Sequence, residues 1–248
     1  MMKLPPLKAL SLMLLGTALN AHAAINLDRT RIVFPEGDKA SSLKVDNQSK
    51  TLPYLALSWI EDENGRKEDS HFMALPPIQR IEAGASSQVR IVKQAAVGQL
   101  PKDRESLFYF NLREVPPKSG ASEARSVMQV AMQSRIKLFW RPKAIELKEG
   151  QFVPLDKVVI SRASGTLQFK NSSPYYITVG YIGLNGKTLL PGAESVMIEP
   201  FGQASQSLAK LPAEFQVGYI SDYGGLEMFK VSCNAVQPAC QSKPVNKG

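Results

Sequence analysis

Apolar and polar residues alternate with a period of two over most of this chain, and this alternation restricts the fold more than any other feature. Leu55, Leu57 and Trp59 alternate with more polar neighbours, and so do Val89 and Ile91. Turn-forming pairs separate the strand-like runs, namely Asn64-Gly65, Ala83-Gly84, Asn185-Gly186, Pro191-Gly192 and Gly224-Gly225. Many short strands separated by turns predict an all-β fold built from β-sandwiches.

The first 23 residues have the layout of a secretory signal peptide. Lys3 and Lys8 are basic, the run 9–19 is apolar, and Ala21-His22-Ala23 offers small residues for cleavage. The apolar run is far shorter than the roughly 20 residues that span a bilayer. The sequence therefore predicts a signal peptide over 1–23, cleavage before Ala24 and an exported, soluble chain.

The remaining residues suffice for two sandwiches of roughly 100 residues each. The best boundary is Arg141-Pro142, because proline ends a strand and holds the preceding residue in an extended conformation. We therefore expect a first domain over 24–141 and a second over 142–248. Neither half has the two cysteines around a tryptophan that mark antibody domains, so this class rests on the alternation alone.

The chain has two cysteines, Cys233 and Cys240, both near the C-terminus. In an exported chain, such a pair is most simply a disulfide that closes a small loop. The chain-entropy model assigns it about 2.5 kcal/mol. The spacing is not C-x-x-C, which disfavours a redox or metal-binding role.

Catalytic signatures are lacking. After cleavage only His71 remains, in a polar segment typical of a solvated loop, which strongly disfavours a histidine general base or a multi-histidine metal site. Glu61 and Glu63 flank a turn and are more typical of a hydrated hairpin tip than of catalysis. The net charge of +8 is scattered, which disfavours nucleic-acid binding. We expect no enzyme activity, cofactor, metal or nucleic-acid partner.

The segment 127–140, VMQVAMQSRIKLFW, keeps the alternation for unusually long. Met128, Val130, Met132, Ile136 and Leu138 share one phase, and Gln129, Gln133, Arg135 and Lys137 share the other. At about 3.3 Å per residue it would be about 46 Å long, whereas strands rarely exceed about 10 residues. It is either two strands with a bend near Ser134 or a single strand with an exposed edge. Proteins normally avoid such an edge because it recruits foreign strands, so keeping one indicates that recruitment is the function.

Several separated motifs carry a family resemblance: LDRTRIVF at 27–34, LPYLALSWIE at 52–61, LPPIQRIEAG at 75–84, DRESLFYFNLREVPP at 103–117, IKLFWRP at 136–142 and SDYGG at 221–225. With the late cysteine pair, they resemble the periplasmic pilus chaperones typified by PapD, over essentially the whole mature chain. The resemblance implies two immunoglobulin-like domains that form a boomerang-like cleft. It also implies a chaperone that binds, folds and caps pilus subunits by donor-strand complementation.

The resemblance assigns roles to particular residues. Arg31 and Lys137 resemble the basic pair that holds the C-terminal carboxylate of a pilus subunit. Met128, Val130 and Met132 match the donor residues that fill the groove of an incomplete subunit. Lys137 lies in the opposite phase from Met132, so we expect an irregularity of the strand near Ser134.

Two further sets follow from the same resemblance. Glu105, Arg141 and Asp222 match a charged triad that links the two domains and fixes their angle. Pro53, Leu55 and Pro76 match a patch that docks on the outer-membrane usher, although core or turn packing explains these three nearly as well. The stretch 116–126 is short, which resembles the short-loop subfamily and favours rod-like pili.

Two other classes of function remain open on the sequence. Tandem sandwiches also suit a structural or adhesive surface module, which would tolerate loss of charge at Arg31 and Lys137. A hydrolase is the weakest alternative, because the chain is so poor in histidine.

Overall fold

The computed structural model describes residues 24–117, 130–148, 151–163, 165–190, 194–208, 210, 212–234 and 239–245. The predicted signal peptide, the donor residue Met128 and most of the stretch 116–126 lie outside these ranges. The described chain is nearly all β, with short 3-10 helices at Ala95–Gln99, Lys143–Ile145 and Leu155–Lys157. None of the helices within these ranges is long and apolar enough to cross a membrane.

The first domain is a sandwich of two sheets. Its strands are β1 (Ile25–Leu27), β2 (Arg31–Pro35), β3 (Ala40–Asn47), β4 (Tyr54–Asp62), β5 (Lys67–Glu68), β6 (Phe72–Leu75), β7 (Ile78–Ile81), β8 (Ser86–Lys93), β9 (Ser106–Val115) and β10 (Gln133–Arg141). One sheet has the order β1-β3-β8-β6 and the other the order β2-β10-β9-β4-β5, with β7 paired to β4. These two sheets enclose a single core, as the sandwich prediction requires.

Aromatic side chains fill the centre of the first core. The ring centroids of Phe34 and Phe72 are 5.2 Å apart, and those of Phe72 and Phe108 are 5.1 Å apart. Trp140 is fully buried against the same rings. Each such side chain contributes about 1.5–3 kcal/mol by burial, and tilted aromatic pairs add to this. This cluster fixes β2, β6, β9 and β10 relative to one another.

The second domain is a smaller sandwich. Its strands are β11 (Val158–Ala163), β12 (Thr166–Asn171), β13 (Ile177–Leu184), β14 (Lys187–Thr188), β15 (Val196–Ile198), β16 (Gln203–Ser207), β17 (Glu214–Ile220), β18 (Leu226–Ser232) and β19 (Gln241–Pro244). One sheet has the order β11-β12-β16 and the other the order β14-β13-β17-β18-β19, with β15 paired to β13. Phe169, Phe215 and Tyr219 are buried between them. The predicted disulfide is present between Cys233 and Cys240, where it joins the end of β18 to the start of β19.

The alternation in β4 has the opposite sense from what its larger side chains suggest. Ala56, Ser58 and Ile60 face the core, whereas Leu57 and Trp59 lie on the outer face of the sheet, half-buried. Glu61 also lies on this outer face and not at a hydrated hairpin tip, because it accepts hydrogen bonds from Trp59 Nε1 and Arg135 Nε at 2.9 Å each. The outer face of this sheet therefore has packed and hydrogen-bonded side chains of its own.

His71 does not lie in a fully solvated loop. It occupies the bend before β6, half-buried, with its ring 5.4 Å from that of Phe108 and its Nδ1 3.2 Å from a Glu68 carboxylate oxygen. The polar neighbours in the sequence suggested solvent, but packing on Phe108 removes much of its exposure. Within the described residues, no cluster of side chains suits a metal ion.

Strand β10 is regular through Ser134, so the predicted irregularity near that residue is wrong. Its antiparallel register with β9 is constant from the Gln133–Arg113 pair to the Trp140–Ser106 pair. A distortion would be needed only to turn Lys137 and Met132 toward the same face, and in a regular strand residues of opposite phase point to opposite faces. Strand β10 begins at Gln133 and continues through Ser134 without a bend, whereas 130–132 precede it and 127–129 lie outside the described residues. This register therefore does not decide between one strand and two over the whole segment 127–140.

Candidate functional site

Arg31 and Lys137 lie side by side on the face of the first domain that meets the second domain. They are register partners in the parallel pair of β2 and β10. Arg31 Nη1 donates to the carbonyl of Ile220 at 3.2 Å, and Lys137 Nζ donates to Thr178 Oγ1 at 3.1 Å. The acceptors belong to β17 and β13, so both cations bridge the domain boundary.

This pair places two positive charges close together at the domain boundary. Arg31 is only 8% exposed, and within the described residues its Nε is buried without a hydrogen-bond partner and neither cation forms an ion pair. Burial, and then repulsion by Arg31, lowers the pKa of Lys137 to about 8. Burial also lowers the pKa of Arg31, against the attraction of Asp222 and Glu105. A carboxylate that enters here would relieve both penalties through charge-assisted hydrogen bonds.

The predicted charged triad is assembled across the same boundary. Arg141 Nε donates to Glu105 Oε1 at 2.8 Å, and Arg141 Nη1 donates to Asp222 Oδ2 at 2.8 Å. The second Glu105 oxygen accepts the backbone N–H of Tyr176 at 2.7 Å. Burial opposes the charge on Arg141, yet hydrogen bonds and attraction from Asp222 and Glu105 raise its pKa. Two first-domain residues are thereby bonded to two positions of the second domain.

Asp222 lies in a tight turn, Ser221–Gly225, in which position 224 has room only for glycine. Gly224 has φ +84°, and a Cβ there would lie 2.6 Å from Thr30 Oγ1 of the first domain. Its N–H donates to the Ser221 carbonyl at 2.9 Å. Positive φ and close approach both require glycine at this position.

Gly224→Ala is therefore expected to lower the free energy of unfolding by at least about 1–2 kcal/mol, the penalty of the left-handed conformation for an L-residue. Gly225 is a matched control, because a Cβ there would meet only Ser221 Oγ at an ordinary 3.7 Å and no positive φ is involved. Denaturant unfolding of the two variants provides the comparison. Equal losses of stability would contradict the proposed contact with Thr30.

Directly before the cation pair, one edge of strand β10 has no partner strand among the described residues, and this stretch is its free edge. Its pairing with β2 begins at Lys137, and no described strand pairs with Gln133–Ile136 on that side. The Glu114 N–H donates to the Met132 carbonyl at 3.0 Å, so even-numbered residues bond to β9. The N–H and C=O groups of Gln133 and Arg135 therefore point to the free edge.

The two predicted donor residues that the structure describes are exposed. Val130 is 61% and Met132 41% exposed, in the phase of Ile136 and Leu138, which pack on the core further along the strand. Both residues lie directly before Gln133, the first residue of β10, and outside the described pairing with β2.

The opposite phase of β10 is held by a network that sequence reasoning missed. The Arg135 guanidinium lies 3.4 Å from the ring centroid of Tyr109, and Arg113 Nη2 donates to Gln133 Oε1 at 2.7 Å. Arg113 also lies 5.4 Å from the centroid of the Trp59 ring. These contacts between β4, β9 and β10 stabilise the strand up to its free end.

Other cleft residues were also missed. Phe139 is buried and stacks on Tyr176 of the second domain at 5.6 Å between centroids. One signal was available, since Phe139 is an apolar residue in the polar phase of Lys137 and Arg141. Beside Arg31 lies a cavity of about 610 Å³, lined by both domains and including Phe139, Tyr176 and Ile220.

The three residues of the predicted docking patch lie near the surface. Leu55 is 38% exposed, Pro76 is exposed and Pro53 is half-buried. Leu52 (46%) and Ile78 (54%) extend the apolar surface around them. Core packing does not account for Leu55 or Pro76, and a docking role stays a prediction.

Comparison with known proteins identifies the class. Residues 24–146 match the family described as "Pili and flagellar-assembly chaperone, PapD N-terminal domain", and residues 154–230 match "Pili assembly chaperone PapD, C-terminal domain". The chain therefore belongs to the PapD-type family of pilus assembly chaperones, which are not enzymes.

Individual relatives agree with this assignment. The chain is 47% identical over 228 residues to the fimbrial chaperone YqiH of Escherichia coli K12, covering 92% of this chain and 90% of the relative. The solved periplasmic chaperone SfaE is 32% identical, with a TM-score of 0.64 and coverage of 82% of this chain and 96% of SfaE. The chaperone SafB of Salmonella enterica, solved with the pilin SafA, is 25% identical, with a TM-score of 0.72 and coverage of 85% and 97%.

Proposed function

We propose that this protein is a periplasmic chaperone that captures an unpolymerised pilus subunit by adding a strand to it. The observation that carries the proposal is the position of the free edge of β10, which ends at the buried Arg31 and the half-buried Lys137. The free edge, which would recruit a strand, and the two cations, which would attract a carboxylate, follow one another along β10. Together they suit the C-terminal strand of a protein partner.

The direction of the recruited strand follows from this arrangement. Strand β2 runs parallel to β10 and starts at Arg31, opposite Lys137. A subunit strand that lies in line with β2, along Gln133–Ile136, would also run parallel to β10 if its C-terminus meets the cations. The reverse direction would bring an N-terminal ammonium group to Arg31 and Lys137, which like-charge repulsion disfavours.

The exposed apolar residues directly before β10 would enter the subunit. Val130 and Met132, with Met128 before them, would supply the apolar side chains that an incomplete subunit lacks. Fully buried, each would contribute about 1.5–3 kcal/mol before the costs of association are subtracted. The triad of Glu105, Arg141 and Asp222 would hold the domains at the angle that the anchor requires.

Three further parts of the proposal concern the location of the protein, its delivery of subunits and the type of pilus. The signal-like N-terminus and the relation to SfaE support a periplasmic location. The exposed apolar surface at Pro53, Leu55 and Pro76 would dock on an outer-membrane usher, to which the subunit is delivered. The short stretch 116–126 favours assembly of rod-like pili.

Co-expression with a subunit from the same gene cluster, followed by purification from the periplasm, tests the function. We expect an equimolar complex in which the chaperone keeps the subunit soluble and protected from proteolysis. A chain that purifies alone, while the subunit aggregates or is degraded, would contradict the proposal and favour a structural or adhesive module.

Subunit capture is expected to weaken as the pH rises above about 8, because Lys137 with a pKa of about 8 then loses its charge before a carboxylate arrives. The loss should approach about tenfold per pH unit if the charged form is required. Lys137→Arg is the control, because arginine stays charged. The affinity of this variant for the subunit should be nearly constant from pH 7 to 9. Titrations of both proteins by calorimetry measure this, and identical pH profiles would argue against Lys137 as the titrating anchor.

A further inference from the structure

A turn in the second domain carries a residue that its geometry does not favour. The Gly202 N–H donates to the Glu199 carbonyl at 3.1 Å, with Pro200 and Phe201 as the central residues. Phe201 has φ +56°. Because proline fixes a negative φ at the second position, this is a type II turn, whose third position normally holds glycine or asparagine. A bulky aromatic residue there is strained.

Core packing does not explain why phenylalanine occupies this position. Phe201 is 50% exposed. Its ring is instead covered by the guanidinium of Arg104 of the first domain, whose Cζ lies 5.0 Å from the ring centroid. Strained backbone persists where surrounding contacts hold it. Here the contact that the strained residue makes, with Arg104, crosses the domain boundary.

Two backbone hydrogen bonds lie beside this contact, and one of them crosses the same domain boundary. The Phe201 N–H donates to the Ser173 carbonyl at 3.1 Å, and the next residue, Pro174, accepts the N–H of Glu105 at 2.9 Å. Glu105 is a member of the charged triad. The strained turn, the Ser173–Pro174 segment and Arg104–Glu105 therefore meet at one point, separate from the Ser221–Gly225 turn that carries Asp222.

We infer that Arg104 and Phe201 form a second fastening between the domains, which acts with the triad to hold the second domain at the angle required by the Arg31 and Lys137 anchor. Both are positioning residues and need not touch a subunit. Their effect on subunit capture rests on the proposed function. Their effect on the interdomain angle does not.

Phe201→Gly separates this role from ordinary packing, because it relieves the strained φ and removes the ring. We expect an unchanged or higher melting temperature. Spin labels at the exposed positions Asn64 and Lys187 should give a broader interdomain distance distribution in the free protein. Subunit capture should weaken about two- to fivefold, the size of an exposed cation–π contact.

Arg104→Ala should broaden the distances in the same way, and Arg104→Lys should restore them in part. Arg66→Ala is the control, since the exposed Arg66 pairs with Asp62 within the first domain. An unchanged distance distribution in Phe201→Gly and Arg104→Ala would overturn the inference, even if capture weakened, because Phe201 would then act as a direct contact. A lower melting temperature with unchanged distances would also overturn it, in favour of packing. If the wild-type protein captures no subunit and yet the distances broaden, the proposed function fails and the fastening stands.

Discussion

Arg31→Ala and Lys137→Ala are each expected to weaken subunit capture by roughly 30-fold to several thousand-fold. The carboxylate of the subunit would remain in a partly dry cleft without one of its two cations, which costs about 2–5 kcal/mol. The free protein should melt near the wild-type temperature, because both cations are desolvated and repel each other before a partner arrives.

Arg29→Ala provides a matched control for this pair. Arg29 lies two residues before Arg31, is 43% exposed and bonds the neighbouring Asp28 at 2.9 Å. Its loss should change capture little, as for most exposed ion pairs. Pull-down yields and calorimetric titrations with a purified subunit measure all three variants. Wild-type capture by either anchor variant would show that the carboxylate is held elsewhere.

Val130→Asp should abolish capture without changing the melting of the free chaperone. Its side chain is 61% exposed in the free protein, so a carboxylate there is solvated. Inside the groove of a subunit it would be buried without a partner, at a cost of several kcal/mol. The measurement is protection of the subunit from proteolysis, together with the melting curve of the isolated variant.

Gln133→Asp is the control on the opposite face of the strand. Gln133 accepts a hydrogen bond from Arg113 and donates to Asn111 Oδ1, so an aspartate would still face a cation of the chaperone itself. Its effect on capture should be much milder. Equal losses in the two phases, or a Val130→Asp protein that still protects subunits, would mean that this strand is not the donor.

The fold class was readable from the sequence because a period of two and turn pairs are local properties. Asn64-Gly65 and Asn185-Gly186 fall in turns, with positive φ at Gly65, Asn185 and Gly186, and Val89 and Ile91 are core residues as their phase suggests. The side of the sheet was not readable in β4. Leu57 and Trp59 are larger than Ala56 and Ser58, yet they face outward, where Arg113 packs over the Trp59 ring and Glu61 accepts a hydrogen bond from Trp59 Nε1.

The site was predictable in its residues more than in its geometry. The motifs indicated Arg31, Lys137 and the triad. The alternation could not show that Arg31 is buried, that the Ile220 carbonyl accepts its hydrogen bond, or that Thr178 accepts the hydrogen bond of Lys137. Those contacts join residues far apart in the chain. The expected irregularity at Ser134 came from assuming that anchor and donor residues share one face, whereas a regular strand serves both faces.

Amide hydrogen exchange along β10, measured residue by residue with an isotope-labelled chaperone, tests strand addition most directly. In the free protein the amides of Gln133 and Arg135 face the free edge and should exchange quickly, whereas those of Ser134 and Ile136 bond to β9 and should be slow. In the complex with a subunit, we expect exchange at Gln133 and Arg135 to slow by about a hundredfold or more, with little change at Ser134 and Ile136. Unchanged fast exchange at Gln133 and Arg135 in a fully formed complex would contradict strand addition at this edge.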